Sequence, residues 1–178
     1  MTSKLKTDVL ETVSGSGTIA LTNQLSGMTT ASLPALGSAQ MPTGSVLQCL
    51  YVNHNGNVSS TSTAYADSGK SITITPSSTS SKIYVSCSFN ANLNASGVVG
   101  LVFKIYRGTT SLDSSNGAFN YQTAATNTHH TSSQFVLDAP STTSAVTYSI
   151  YFRSYNGVST TMDAGWGGIR LSAMEIAG

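Results

Sequence analysis

Strict alternation of apolar and polar positions is the strongest signal along this chain. Residues 82–90 place Ile83, Val85, Cys87 and Phe89 on one face and Tyr84, Ser86, Ser88 and Asn90 on the other, the period of a strand with one buried side. Val99, Leu101, Phe103 and Ile105 repeat the pattern, as do Val146, Tyr148, Ile150 and Phe152 opposite Thr147, Ser149, Tyr151 and Arg153. Shorter runs bounded by Gly, Pro, Asn and Ser predict further strands over residues 46–52, 71–75, 118–121, 134–137 and 169–176. No stretch of a dozen residues carries a helical stripe, and Glu and Lys are scarce throughout. The fold class is all-β. Some eight strands suit an antiparallel β-sandwich, and the jelly roll is the first choice because it limits exposed strand edges.

The pattern changes near residue 44. Residues 1–44 contain no aromatic residue and no His, whereas all fourteen Phe, Tyr and Trp residues lie between Tyr51 and Trp166. Aromatic side chains supply the largest buried areas, so the first segment contributes little to a core. The chain therefore divides into an extended N-terminal arm, 1–44, and a sandwich head, 45–178. Within the arm Leu5, Val9, Leu10, Val13, Ile19, Leu21 and Leu25 flank Gly15-Ser16-Gly17, a pattern that fits short extended pieces around a turn and fits a linker equally. Order in so apolar-poor an arm would come from copies of itself or from a neighbouring protein.

Charge sharpens this picture. Of 178 residues only 8% are charged, eight basic against seven acidic, while Ser and Thr number 54, so polarity is carried by hydroxyls. A formal charge of +1 supplies no cationic surface for a phosphate backbone, which excludes nucleic acid as an expected partner. The opening Met1-Thr-Ser-Lys-Leu-Lys lacks the apolar core of a signal peptide, and no apolar run approaches a membrane span, so the expectation is a soluble protein made in the cytoplasm, with no membrane insertion. A monomer normally keeps soluble by surface charge, so a chain that omits it is expected to hide surface in an assembly. Val98, Val102 and Tyr106 point the same way. They lie on the second face of the 99–105 strand, and another subunit is expected to cover them.

The catalytic inventory is thin. Seven carboxylates are scattered, and the expectation is no enzyme, no cofactor and no metal. Asp113 and Asp138 read as turn residues that accept local backbone amides, although convergence of Asp138 with Asp163 would give a glycosidase pair. His129 and His130 would point to opposite faces of a strand and so cannot share an ion; a solvent-exposed loop over 123–133 is their expected setting. Cys49 and Cys87 read as buried free thiols. Glu175 shares a face with Ile169, Leu171 and Ala173, which leaves two readings: a frayed terminus, or a pair with Lys or Arg of a neighbouring subunit. Two loops, 116–133 and 155–168, combine aromatic rings with amides and hydroxyls as saccharide sites do. They nominate Tyr121, His129, His130, Tyr155, Asn156 and Trp166, the last set between Gly165 and Gly167.

The strings Ser71-Ile-Thr-Ile-Thr-Pro-Ser-Ser-Thr-Ser-Ser-Lys-Ile-Tyr-Val85, Leu137-Asp-Ala-Pro-Ser-Thr-Thr-Ser-Ala-Val-Thr-Tyr148 and Met174-Glu-Ile-Ala-Gly178 resemble the C-terminal head modules of tailed-bacteriophage fibres, of marine and cyanobacterial type. The opening Ser3-Lys-Leu-Lys-Thr-Asp-Val9 and Gly17-Thr-Ile-Ala-Leu-Thr22 resemble their attachment arms. The resemblance implies a homotrimer of jelly-roll heads, similar in shape to tumour necrosis factor, located on a virion. Leu5, Val9, Leu10, Ile19 and Leu21 would dock the arm onto other virion proteins, and the head would adsorb to a host surface glycan or protein. The short arm, without a shaft repeat, departs from long fibres and leaves a stubby tail or baseplate fibre, a capsid decoration knob or a connector. A secreted lectin-like module is the reading from a different class.

Overall fold

The computed structural model describes residues 37, 40–95, 97–123, 126–163, 165 and 167–178, apart from the side chains of Ala95 and Thr126. Leu5, Val9, Leu10, Ile19, Leu21 and Trp166 lie outside the described residues. Among the described residues eleven strands follow in order: β1 (Val46–His54), β2 (Val58–Ser60), β3 (Ala66–Ile74), β4 (Lys82–Ala95), β5 (Val99–Arg107), β6 (Thr110–Ser111), β7 (Ala118–Gln122), β8 (Thr126–Asp138), β9 (Val146–Ser154), β10 (Thr160–Asp163) and β11 (Ile169–Ile176). All pairings are antiparallel.

The first sheet runs β8-β4-β11-β1. β10 prolongs the line of β11 along β4, and β2 pairs with β10. The second sheet runs β7-β5-β9-β3, with β6 on the same edge of β5 as a hairpin extension. Taking β10 and β11 as one interrupted strand, and setting aside β2 and β6, eight strands remain. The first neighbours the eighth, the eighth the third and the third the sixth in one sheet; the other sheet takes the second, seventh, fourth and fifth. That order is the jelly roll.

The alternation read from sequence sets the core. Ile83, Val85, Cys87 and Phe89 face Val99, Leu101, Phe103 and Ile105 across the sandwich, joined by Tyr148, Ile150 and Phe152 from β9 and Ile169, Leu171 and Ala173 from β11. Phe89 meets Phe103 edge to face at 4.8 Å, a favoured ring geometry. Truncating either ring to Ala should cost about 3–5 kcal/mol.

Strand lengths depart from the sequence reading where polar residues occupy inward positions. The segment 123–133, expected as a loop, is mostly strand: β8 pairs with β4 over thirteen residues, from Ile83 opposite Asp138 to Ala95 opposite Thr126. The inward face of β8 carries Thr128, His130, Ser132, Gln134 and Asp138 beside the apolar Val136, and several of the polar ones bond side chains outside β8. Thr128 donates to Gln122, Asn120 to Ser132 and Gln134 to Asp113, while Gln122 donates to the Leu93 carbonyl. A polar ladder therefore closes this side of the sandwich. The 155–168 segment likewise contains a strand, β10.

Candidate functional site

On the outer face of the second sheet, β5 has no side chain at Gly100, opposite Tyr121 of β7. Tyr155, just past the end of β9, is held there by its amide, which donates to the Gly100 carbonyl at 2.9 Å. Three rings gather over this gap. Phe119 lies 5.4 Å from Tyr121 and 5.1 Å from Tyr155 between centroids, and Tyr121 meets Tyr155 edge-on at 5.7 Å. A Cβ at Gly100 would stand 2.7 Å from Phe119 Cε2 and 3.0 Å from Tyr155 Cβ, so the glycine is what lets the rings settle onto the sheet. All three remain substantially exposed. Asn156 follows and donates its amide to the Val98 carbonyl at 2.8 Å, fixing the turn after Tyr155.

The platform continues along the sheet. Register sets Val102 between Phe119 and Arg153, and Lys104 beside Tyr151. Tyr106 stacks on Tyr151 at 4.0 Å, and Tyr65 carries both Lys104 and Arg153 at 5.3 Å from its ring centroid. The Tyr65 hydroxyl donates to the Asn116 carbonyl. Gly117, at φ 96°, lies against the Phe103 carbonyl, where any side chain would clash. Between these groups lies a shallow hollow of about 220 Å³ lined by Val102, Asn116, Gly117, Phe119, Arg153 and Tyr155.

This arrangement corrects the expectation that only another subunit could cover the second face of β5. Val102 is 3% exposed and covered by the chain's own residues, whereas Val98 stays exposed and Tyr106 half-buried. Of the nominated residues, Tyr121, Tyr155 and Asn156 come together. His129 and His130 do not join them. His129 points outward from β8 on the other sheet, with Nδ1 3.6 Å from Asp163, while His130 points inward with its buried Nε2 unpartnered. As strand neighbours they face opposite ways. Phe119 falls inside the 116–133 segment and Val102 on the outer face of the 99–105 strand, but the sequence nominates neither as a site residue, nor Gly100, Arg153 or Asn116. A glycine inside an apolar strand was the available signal.

The remaining polar residues are differently placed from the sequence reading. Asp138 is no turn residue: Arg107 Nη1 spans its two oxygens at 3.0 and 2.9 Å and the Tyr148 hydroxyl donates at 2.8 Å. Burial, followed by that hydrogen bond and the charge of Asp138, raises the Tyr148 phenol well above its ordinary range. Asp113 does accept locally, from the Ser115 amide and hydroxyl. Asp138 and Asp163 lie opposite Ile83 and Asn90 of β4, seven positions or roughly 23 Å apart, so they form no pair. Glu175 is not frayed, since it lies within β11, and its partners among the described residues are neutral. It is 0% exposed and accepts from Gln48 Nε2 at 2.6 Å and from the amide and hydroxyl of Ser77, each at 2.7 Å. Cys87 is buried as expected, but Cys49 is exposed on β1.

Among the described residues no group of three or more His, Cys, Asp or Glu could hold a metal, and no helix is long and apolar enough to cross a membrane. No protein-family description and no curated protein matches the chain. Among solved structures, a mutant VP2 protein of infectious bursal disease virus in derived T=1 particles is similar at 14% identity and a TM-score of 0.42, over 82% of this chain and 41% of that one. Structures of the Gx and Gt strains of the same virus are similar at 13% and 12% identity, each with a TM-score of 0.39 over 82% of this chain and 43% of theirs. The chain thus spans less than half the length of the solved chains it matches.

Proposed function

We propose that the chain is a structural protein of a virion, a short homotrimeric tail or baseplate fibre of a tailed bacteriophage. Residues 1–44 attach it to other virion proteins, and residues 45–178 form a jelly-roll head that adsorbs to a host-surface saccharide. The jelly-roll strand order and the head-module strings 71–85, 137–148 and 174–178 support the virion reading. The observation that carries adsorption is the exposed Phe119, Tyr121 and Tyr155 cluster seated on Gly100. Aromatic faces take the apolar face of a sugar ring, and hydroxyls and amides around them read its polar edge. Weak sites repeated around a trimer and over a particle add through effective concentration.

A glycan array probed with the full chain tests this. Binding to a defined glycan class, reduced at least tenfold by Tyr155→Ala and by Tyr121→Ala, is the expected result. Binding unchanged by both substitutions would remove the platform from the mechanism. A second reading, a capsid decoration or connector protein with no specific receptor, draws on the apolar outer face of the first sheet, where Phe135 and Leu137 are 69% and 58% exposed. Antibody to residues 45–178 applied to intact particles separates the two: decoration of the capsid rather than the tail would overturn the fibre assignment.

A further inference from the structure

Arg153 stands at the lip of the hollow, and among the described residues no carboxylate forms an ion pair with it. The ion pair among the described residues joins Arg107 to Asp138, the His129 ring lies 3.6 Å from Asp163, and neither contact reaches the platform. The hydrogen bond Arg153 makes is a long one, from Nη1 to the Ser154 carbonyl at 3.3 Å. The Tyr65 ring beneath the guanidinium holds it by a cation–π contact, which orients the plane without consuming its N–H donors. The nearby acids are committed elsewhere. Asp113 accepts from Ser115 and Gln134 and has Lys104 as its cationic neighbour, while Asp67 accepts from the Gly69 amide.

Around this fork the hollow offers an apolar floor at Val102, ring walls at Phe119 and Tyr155, and Asn116 at the rim. At about 220 Å³ it falls below the roughly 300–1,000 Å³ of drug-sized pockets and suits a single sugar ring. A guanidinium is the side chain whose geometry matches a carboxylate with two parallel hydrogen bonds. Resting on the adsorption reading above, we propose that the platform binds an acidic saccharide, a pyranose whose ring packs on Phe119 and Tyr155 and whose carboxylate is taken by Arg153. Uronic acids and sialic acids share that chemistry.

The test uses the full chain with trigalacturonic acid, its neutral methyl ester and an oligomer of sialic acid, measured by calorimetry and by ligand-observed NMR. At least one acid is expected to bind tenfold or more tightly than the neutral ester and to weaken as salt is raised. Arg153→Gln should abolish the preference for acid over ester while leaving the thermal unfolding midpoint within a few degrees. Arg153→Lys, which keeps the charge and loses the fork, should restore only part of the preference. Tyr155→Ala should weaken acid and ester alike. Equal binding of acid and ester, a preference that survives in Arg153→Gln, or no binding of either acid would overturn the acidic assignment. Neutral glycans that still bind through Tyr155 would in that case leave the adsorption reading standing; no glycan binding of any kind would remove both.

Discussion

Glu175, in register with Ile83 and Gln48, is 0% exposed, and the chain meets its carboxylate with neutral donors. Burial by itself would raise its pKa; the polar groups of Ser81, Gln48 and Ser77 around it outweigh burial and hold it below the ordinary carboxylate value. With the folded pKa below the unfolded one, the unfolded chain binds more protons in that range. The stabilisation is therefore present above about pH 4.3 and lost as pH falls through the folded value. Urea midpoints measured from pH 7 to pH 3 should drop, and Glu175→Gln should cost about 1–3 kcal/mol at pH 7 while flattening the acid limb. The cysteines give a second check at this scale. Burial pushes the Cys87 thiol up to about 12, whereas Cys49 is exposed, so maleimide should label one thiol quickly and the other only on unfolding. Two fast thiols would contradict the fold. Sequence identified Glu175 as a problem but could not find its partners, because Gln48 and Ser77 are 127 and 98 positions away and neutral.

At the scale of elements, the strands that sequence reads well are those with an apolar inner face: β4, β5, β9 and β11. β8 is recognisable only over 134–137, because its inward positions are Thr, His, Ser, Gln and Asp with Val136 as the one apolar residue, while Phe135 and Leu137 point outward. Periodicity in hydrophobicity cannot register a strand whose core side is hydrogen-bonded rather than greasy. β10 and β2 were missed for a simpler reason, since four and three residues give no period to detect. The platform was half legible. Tyr121, Tyr155 and Asn156 were singled out by type, but only pairing of β7 with β5 reveals that Gly100 collects them. Two substitutions test these elements. Gly100→Ala should displace the Phe119 ring and cost about 1–3 kcal/mol, visible as a lowered unfolding midpoint. Asn120→Ala strips the Ser132 hydroxyl of its donor, and should cost about 1–2 kcal/mol and hasten hydrogen exchange in β8 before β4.

For the whole molecule, the scarcity of charge has a visible counterpart on the outer face of the first sheet. Pairing aligns Leu137, Tyr84, Met174 and Cys49 in one row and Phe135, Ser86, Ser172 and Tyr51 in the next, with Phe135 stacked on Tyr84 at 5.9 Å and Tyr51 63% exposed. A stripe of this kind across four strands is what mates with another surface. If copies of the chain mate there, sedimentation at micromolar concentration should show an oligomer that Phe135→Lys with Leu137→Lys reduces to a folded monomer; a wild-type monomer would refute it. The ring cluster on Gly100 occupies the opposite side of a two-layer head whose layers lie about 10 Å apart. The head is consequently two-sided, like a tile with a glued back and a glazed front, and occupying one side leaves the other in view. Energetic independence follows: the effects of Leu137→Lys on association and Tyr155→Ala on ligand uptake should add without coupling beyond about 0.5 kcal/mol in a double-mutant cycle.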